Sequence, residues 1–388
     1  MKKISVLSAV SFYLVLGAIP RVHGKELANY MSGIYWVAGA PRGLRATDVA
    51  FENKYLPMVD RTLRENKYLS GICIEIPWKA IEPEDGKLDL GRVDKIVELA
   101  RKNKKFYTLD LTPGHLTPSF VFQNGAQAIN TPVINPSRPD YGQNVLIPVP
   151  WDKTYQKYFY RALGEISKKY KEDNQFIAVN MAIACYTGSE WHLPMRAADM
   201  VQWRKFDVNY MERIKETWCA AIDEYADLFP NQQLCLEASD DPLHGHKEAN
   251  EIIEYGATKF PTRFTIQTDQ LHGRREITGY FAFDRVVKYK DRIHHGFQDV
   301  ASWQGSGDRQ GSMEMTAYNF ILADSEYLEI LSGDGSNMET TKELYEILNQ
   351  ARELGVEKYK EKLIQEGKFR TREDDHYDPK KAAIQNRP

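Results

Sequence analysis

Glu190 is a residue whose surroundings could support acid–base chemistry. An apolar segment, residues 176–185, changes abruptly into a polar one that contains Glu190, Trp191 and His192. The first part is typical of a buried strand, and the second is typical of a solvent-facing loop. A carboxyl group that is desolvated against an indole ring acquires a raised pKa and can donate a proton near neutral pH. Glu190 is therefore predicted to be a general acid.

Comparable residues follow the other segments that resemble strands. Carboxylates, amides, histidines and indoles recur where these segments end. Carbohydrate cleavage uses such a mixture, because two carboxyl groups perform acid–base or nucleophilic work while aromatic faces stack on sugar rings. Loops are polar in most proteins, so the prediction depends on the whole set rather than on any single residue. The predicted substrate contacts are Trp78, Asp110, His115, Trp191, His192, Glu237, Gln267, Asp269, Gln298 and Trp303.

The elements that must position these residues alternate between strand-like and helical patterns. Strands are predicted at residues 34–38, 71–76, 106–111, 176–185, 233–237, 263–267, 297–301 and 327–331. Helices are predicted at residues 47–66, 91–102, 154–171, 204–228, 248–255, 281–289, 314–322 and 342–354. This order predicts an α/β fold, the (β/α)8 TIM barrel, as a single catalytic domain with a long insertion, residues 112–150, after strand three. A doubly wound open sheet is the alternative, which is disfavoured because no Gly-rich phosphate loop follows the first strand.

The two ends of the chain differ in composition from the predicted barrel, residues 25–358. Lys2 and Lys3 precede an apolar run, and small residues follow it, which predicts a signal peptide over residues 1–24. The protein is then expected to be secreted or periplasmic, and a retained membrane anchor is the alternative. Residues 359–388 are highly charged and are predicted to form a short helix and a mobile tail.

Several classes of function are disfavoured by composition. The formal net charge is −3 and no long basic stretch occurs, so nucleic acid is not an expected partner. No segment after the signal approaches the length of a membrane span. The four cysteines have no zinc spacing and are predicted to be buried free thiols. No cofactor or metal is expected, although a metal-dependent hydrolase stays open as an alternative through the pair His244 and His246.

Two motifs resemble a known enzyme family. Residues 76–100, IPWKAIEPEDGKLDLGRVDKIVELA, resemble a signature that follows strand two in the β-galactosidase-like family forty-two of glycoside hydrolases and in its clan of retaining enzymes. Residues 311–329 are similar to the last helix and strand of the same family. The resemblance implies a TIM barrel that hydrolyses O-glycosidic bonds with two carboxyl groups, one of them at the position of Glu190.

The chain departs from that family at both catalytic positions. Ser189 precedes Glu190 where the family has Asn, and Gln298 stands at the end of strand seven where the family has its nucleophilic Glu. The second carboxylate is therefore predicted to be Asp299 or Glu329, with equal weight. The alternatives are a non-catalytic glycan-binding barrel and, for Glu329, a core salt bridge to Arg42 or Lys79. A carboxyl separation of about 5 Å would imply retention, and about 6.5–9.5 Å inversion.

Overall fold

Eight parallel strands close into a barrel, which confirms the predicted fold class. The structure, a computed structural model, describes residues 27, 29–39, 43–45, 47–134, 140–186, 188, 191, 193–238, 246–304 and 307–376, with the backbone alone for residue 246. The closed order is β1-β10-β9-β8-β7-β6-β3-β2. These strands are β1 Gly33–Val37, β2 Leu69–Pro77, β3 Phe106–Thr112, β6 Phe176–Met181, β7 Gln233–Glu237, β8 Phe264–Leu271, β9 His294–Asp299 and β10 Tyr327–Ile330.

Helices surround the barrel and form because apolar residues recur at helical spacing. Helix Gly91–Lys102, for example, buries Val93, Ile96, Val97 and Ala100 against the sheet. Helix Lys153–Tyr170 begins at Asp152, whose side chain accepts a hydrogen bond from the Tyr155 amide. The helices are α1 Asp48–Ala50, α2 Leu56–Glu65, α3 Trp78–Ile81, α4 Gly91–Lys102, α5 Ser119–Gln123, α6 Lys153–Tyr170, α7 Ala197–Phe206, α8 Tyr210–Leu228, α9 His246–Lys259, α10 Phe281–Tyr289, α11 Gly307–Gln310, α12 Met313–Leu322, α13 Ser332–Ser336 and α14 Met338–Gln365.

The predicted insertion after β3 contains structure of its own. Strands β4 Ala128–Pro132 and β5 Asn144–Pro148 form an antiparallel hairpin within it. Helix α7 holds the hairpin, because the Gln202 side chain exchanges two hydrogen bonds with the backbone of Asn130, at 3.0 and 2.9 Å. The Arg196 guanidinium adds a bond of 2.7 Å to Thr131 Oγ1. The insertion is therefore an anchored part of the domain.

The limits of several elements differ from those predicted; the fourth strand, for example, ends at Met181 and not at residue 185. Two further differences have a clear physical reason. Strand β9 begins at His294, three residues before the predicted start at residue 297. The predicted start is late because the sequence His-His-Gly lacks the apolar pattern of a strand. The His295 ring is nevertheless buried and lies 3.0 Å from the Ala323 carbonyl oxygen. The predicted helix 204–228 is two helices, α7 and α8, because the backbone is extended at Asp207 (φ −155°).

The domain extends beyond residue 358, so the predicted start of a charged tail at residue 359 is wrong. Tyr359 and Leu363 are buried within α14, at the i, i+4 spacing of a helix face. Beyond the helix, the Arg370 carbonyl accepts a bond from the Glu276 amide at 2.9 Å. The Asp375 carboxylate accepts one from Arg275 at 3.1 Å. The prediction missed this packing because the many charged residues of the segment make its short apolar face difficult to recognise in the sequence. Residues 377–388 lie outside the described residues.

The apolar core is divided by the barrel wall. One cluster lies between the sheet and the helices and includes Trp36, Ile72 and Phe297. A smaller cluster lies inside the barrel and includes Tyr35, Cys73 and Tyr327. Side chains alternate between these two faces along each strand. Among the helices in the described part of the chain, none combines the length and apolar character needed to cross a bilayer. The predicted signal peptide, residues 1–24, lies outside the described residues.

Candidate active site

Glu329 occupies the centre of a hydrogen-bond network inside the barrel. Its Oε1 accepts a bond from the Cys73 thiol at 3.0 Å, and its Oε2 accepts one from the Gln267 amide at 2.9 Å. The Tyr327 hydroxyl donates to Gln267 Oε1 at 2.8 Å and lies 3.4 Å from the Cys235 sulfur. Cys73, Gln267 and Glu329 come from alternate strands of the barrel, as expected for one layer of a TIM-barrel interior.

These contacts bear on the predicted core salt bridge between Glu329 and Arg42 or Lys79. The donors that bond its carboxyl group among the described residues are a thiol and an amide, both neutral. Lys79 is exposed, whereas Glu329 is buried. Arg42 lies outside the described residues. Neutral donors without a cation are characteristic of a carboxyl group that can change its protonation state, because no fixed counter-charge holds it ionised.

Burial raises the pKa of Glu329, and the hydrogen bonds from Cys73 and Gln267 offset part of that rise. Burial also raises the pKa of the Cys73 thiol well above its usual range, and the negative charge of Glu329 adds to the effect. The thiol therefore keeps its proton and remains a donor. Perturbed carboxyl groups of this kind are common in active sites.

Three further carboxyl groups share the barrel interior with Glu329. The pKa of the Cys235 thiol is raised first by burial and then by the charges of Glu329, Glu237 and Asp110. Glu75 contributes in the same direction to the pKa of the Cys73 thiol. In the sheet register Glu75 pairs with Asp110, and Glu237 pairs with Gln267. The sequence prediction did not include Glu75, which lies two residues before the end of strand β2.

Asp299 has a different environment from Glu329. Along β9, Phe297 belongs to the outer core and stacks on Phe283 of α10, so alternation places Asp299 on the outer face and Gln298 on the inner face. Burial and the neighbouring Asp334 raise the pKa of Asp299 well above its usual range. Asp334 itself accepts bonds from the Ser302 hydroxyl and the Trp303 amide, both at 3.0 Å. The charge of Glu329 also contributes to the raised pKa of Asp299, so the two carboxyl groups, on opposite faces of the wall, are close enough to interact.

Trp78 is a packing residue, so its prediction as a sugar contact is wrong for this structure. Its ring is fully buried beside Phe120, Tyr155 and Phe159. Its indole N–H donates to Glu82 Oε2 at 2.9 Å. Helix α3 begins directly after β2 and places the ring against α5 and α6. The motif that resembles family forty-two therefore stabilises the barrel wall here.

The other two tryptophans that were predicted to contact a sugar, Trp191 and Trp303, differ from each other in exposure. Trp191 is buried, and the Arg285 guanidinium lies over its ring, 5.2 Å from the centroid. Its backbone amide donates to the Glu237 carbonyl at 3.2 Å, which ties the loop after β6 to the end of β7. Trp303 is partly exposed beside Asp334. Trp303 is therefore the better candidate for stacking on a sugar ring.

The remaining predicted contacts are distributed around the carboxyl end of the barrel. His115 is buried, with Nδ1 3.1 Å from the Tyr186 carbonyl oxygen and Nε2 3.9 Å from Asp140 Oδ2. Asp269 is half-buried near the end of β8. Gln298 pairs in register with Glu329. Glu190 and His192 lie outside the described residues, so their roles stay predictions.

A metal centre finds no support in the part of the chain that is described. Among those residues, no group of three or more His, Cys, Asp or Glu side chains is arranged to hold an ion. The pair His244 and His246 that left this alternative open has its side chains outside the described part.

Comparisons with known proteins establish the fold. No model of a protein family matches the chain, and no curated protein matches it in sequence. A β-galactosidase from the psychrophilic Marinomonas ef1 is similar in structure, with a TM-score of 0.52 and 10% identity over 85% of this chain and 61% of that one. A cold-adapted β-galactosidase from Rahnella sp. R3 has a TM-score of 0.51 and 11% identity over 85% of this chain and 57% of that one.

A psychrophilic family 10 endo-β-1,4-xylanase is a more distant neighbour, with a TM-score of 0.43 and 13% identity over 78% of this chain and 85% of that one. The chain spans about three fifths of the length of the two β-galactosidases, 61% and 57%. At these identities the similarity shows a shared barrel and not a shared activity. The structural neighbours of this chain are thus glycoside hydrolases with the TIM-barrel fold.

Proposed function

We propose that the protein is a glycosidase, a hydrolase of O-glycosidic bonds in an oligo- or polysaccharide. The observation that carries the proposal is Glu329, buried on the inner face of the last strand and held by Cys73 and Gln267 among further carboxyl groups. Glycoside hydrolysis needs two carboxyl groups in different protonation states. The glycosidase neighbours and the resemblance to family forty-two are consistent with this proposal.

In the proposed mechanism Glu190 protonates the departing glycosidic oxygen. Glu329, in its ionised form, acts as the nucleophile or as the base that activates water. The hydrogen bonds from Cys73 and Gln267 stabilise that ionised form after the proton has left. The carboxylates Asp110 and Glu237 accept hydrogen bonds from substrate hydroxyls, and Trp303 stacks on a sugar ring. No cofactor is needed for this chemistry.

Turnover of glycosides by purified protein tests the proposal. A panel of aryl glycosides and polysaccharides should contain at least one substrate, and Glu190→Gln should reduce kcat on it by about 10²–10⁴-fold. The control is Glu254→Gln, which changes a glutamate that is bonded to Arg292 on the exterior. Full activity of Glu190→Gln would remove the assignment of the general acid.

A non-catalytic glycan-binding barrel is the second candidate. It is favoured by Gln298, which stands beside Glu329 in the sheet register where a nucleophilic carboxylate is expected. Binding of a glycan without release of any product, at every pH tested, would support this candidate over hydrolysis.

The pH profile of activity should depend on Cys73. Glu329 must be ionised to act, so activity should decline as the pH falls through its raised pKa. Cys73→Ala removes a donor to the carboxylate, which should raise the pKa further and move the acid limb of kcat to higher pH. Cys73→Ser keeps a donor and should leave the limb closer to that of the wild type. An unmoved limb in Cys73→Ala would show that another group sets it.

We also propose that the protein is exported after removal of residues 1–24. Mass spectrometry of the mature N-terminus in the native host should give a chain that begins near Lys25. An intact N-terminus on membrane-bound protein would indicate a retained anchor instead.

A further inference from the structure

The segment that carries Glu190 has no regular secondary structure to hold it in place. Residues 182–194 lie between β6, which ends at Met181, and α7, which begins at Ala197, and the described residues among them belong to no helix or strand. Their backbone groups therefore depend on partners elsewhere in the chain. A general acid must be placed accurately, because a displacement of about 1 Å can slow a reaction by about 10²-fold. The contacts that hold this segment consequently bear on catalysis.

The turn Gly114–Leu116, after β3, holds the backbone of Tyr186, four residues before Glu190. The His115 backbone amide donates to the Tyr186 carbonyl oxygen at 3.0 Å, and the His115 ring Nδ1 lies 3.1 Å from the same atom. A carbonyl oxygen only accepts hydrogen bonds, so the ring contact requires a proton on Nδ1. Gly114 has a φ of +58°, and a Cβ at this position would lie 2.5 Å from the Tyr186 oxygen. The two backbone segments are therefore in direct contact.

Helix α10 holds Trp191, which directly follows Glu190 in the sequence. The Trp191 ring is fully buried, and the Arg285 guanidinium lies 5.2 Å from its centroid and 4.0 Å from that of the Phe281 ring. Arg285 is itself buried, and the attraction between a cation and an aromatic face is strongest when the cation is desolvated. The Trp191 backbone amide donates to the Glu237 carbonyl oxygen. The residue beside Glu190 is thus anchored by its ring and by its backbone.

Resting on the proposed function, in which Glu190 is the general acid, we propose that His115 and Arg285 are positioning residues for that acid. Neighbouring Cα atoms are about 3.8 Å apart across a trans peptide, so the restraint on Trp191 reaches Glu190 through one peptide unit. The restraint on Tyr186 acts from the other side. Neither positioning residue has to touch the substrate. Loss of their contacts should therefore slow proton donation and leave substrate binding nearly unchanged.

Four variants test the proposal on an alkyl glycoside of whichever sugar the panel identifies. Arg285→Met and His115→Leu remove the contacts and should each reduce kcat by about 10–100-fold, with KM within about threefold of wild type. Arg285→Lys keeps the cation, and His115→Asn keeps a side-chain N–H donor. Each should recover part of the lost kcat. These two conservative variants decide the outcome if the larger changes prevent folding.

Two control variants remove the same kinds of contact at the amino end of the barrel strands. The Arg292 guanidinium, two residues before β9 begins, lies 5.3 Å from the centroid of the Tyr289 ring. The His295 ring, near the start of β9, lies 3.0 Å from the Ala323 carbonyl oxygen. Arg292→Met and His295→Leu should keep kcat per folded molecule within about threefold of wild type, because they are remote from the acid.

The leaving group distinguishes a positioning role from a purely structural one. An alkoxide needs a proton from the general acid as it departs, whereas a dinitrophenolate departs without one. Arg285→Met should therefore lower kcat/KM on the alkyl glycoside by about 10–100-fold and on the dinitrophenyl glycoside by less than about threefold. When Glu190→Gln is already present, adding Arg285→Met should cost less than about threefold more, because the group that it positions is gone.

The outcomes separate this inference from the proposed function. Equal losses on the two glycosides, or a loss in the double variant as large as in the single one, would overturn the inference and leave glycoside hydrolysis intact. A wild-type protein that turns over no glycoside, or a fully active Glu190→Gln variant, would overturn the proposed mechanism, and the inference with it.

Discussion

Glu329→Gln is expected to reduce kcat by about 10²–10⁴-fold on any substrate that the panel identifies. The substitution replaces a group that can ionise with a neutral amide of nearly the same shape, so the pocket formed by Cys73 and Gln267 keeps its size. If Glu329 is the nucleophile, azide or formate added to the variant should restore part of the turnover. A variant with wild-type kcat would assign the role of the second carboxylate to another residue.

The same substitution should change stability in a pH-dependent way. The folded pKa of Glu329 is raised, mainly by burial, so the folded state holds a proton that the unfolded chain releases more readily. Stability supplied by this group is full below the unfolded pKa of about 4.3 and is lost as the pH rises through the folded value. Glu329→Gln carries no such dependence. Its free energy of unfolding relative to wild type should increase between about pH 5 and about pH 8, as measured by urea denaturation.

Glu254→Gln gives a control of opposite sign. Arg292 lowers the pKa of Glu254 to about 2. The stability that this carboxylate supplies is present above its unfolded pKa and is lost as the pH falls toward the folded value. Glu254→Gln should therefore differ most from wild type at neutral pH and less in acid. The same pH slope in both variants would contradict the raised pKa of Glu329.

The positions of most strands could be predicted from the sequence because these strands are short, largely apolar runs that are buried on both faces. Strand β7 was predicted at its observed limits, residues 233–237. Strand β9 was predicted three residues late, since His294 and His295 are held by partners that are distant in sequence, Glu326 and Ala323 respectively. The local sequence pattern does not show which distant residues contact these two histidines.

From the sequence, the candidate site could be predicted only as a group of residues near the carboxyl ends of the strands. The four cysteines are free thiols, as predicted, but only three of them are buried, because Cys219 is partly exposed. The contacts of Cys73 and Cys235 inside the barrel depend on residues from distant strands. Cys73 and Glu329 are separated by 256 residues, and Gln267 and Glu329 by 62. Such pairings follow from barrel closure and strand register, which no local spacing encodes. Trp78 was misassigned for the same reason, because the direction of its ring depends on how α3 leaves β2.

Trp78→Ala should destabilise the protein by about 3–5 kcal/mol, the usual cost of removing a large buried aromatic side chain. The ring fills the space between β2 and helices α5 and α6, where it contacts Phe120 and Phe159. Its loss also leaves Glu82 without one of its donors. Glu82 is buried, and its other bonds, from the Gly86 amide and from Arg161, both go to Oε1. The loss of the indole therefore leaves Oε2 without its donor, a cost that adds to that of the cavity.

Trp78→Phe separates these two contributions. It retains much of the ring volume and loses only the indole N–H, so we expect a smaller cost, about 1–3 kcal/mol. Chemical denaturation of both variants measures the stability, and kcat per folded molecule measures function. Because Trp78 packs in the wall and does not face the interior, kcat and glycan affinity should match those of wild type in Trp78→Phe. A variant that folds as stably as wild type but no longer binds glycan would instead make Trp78 a substrate contact, as the residue type first indicated.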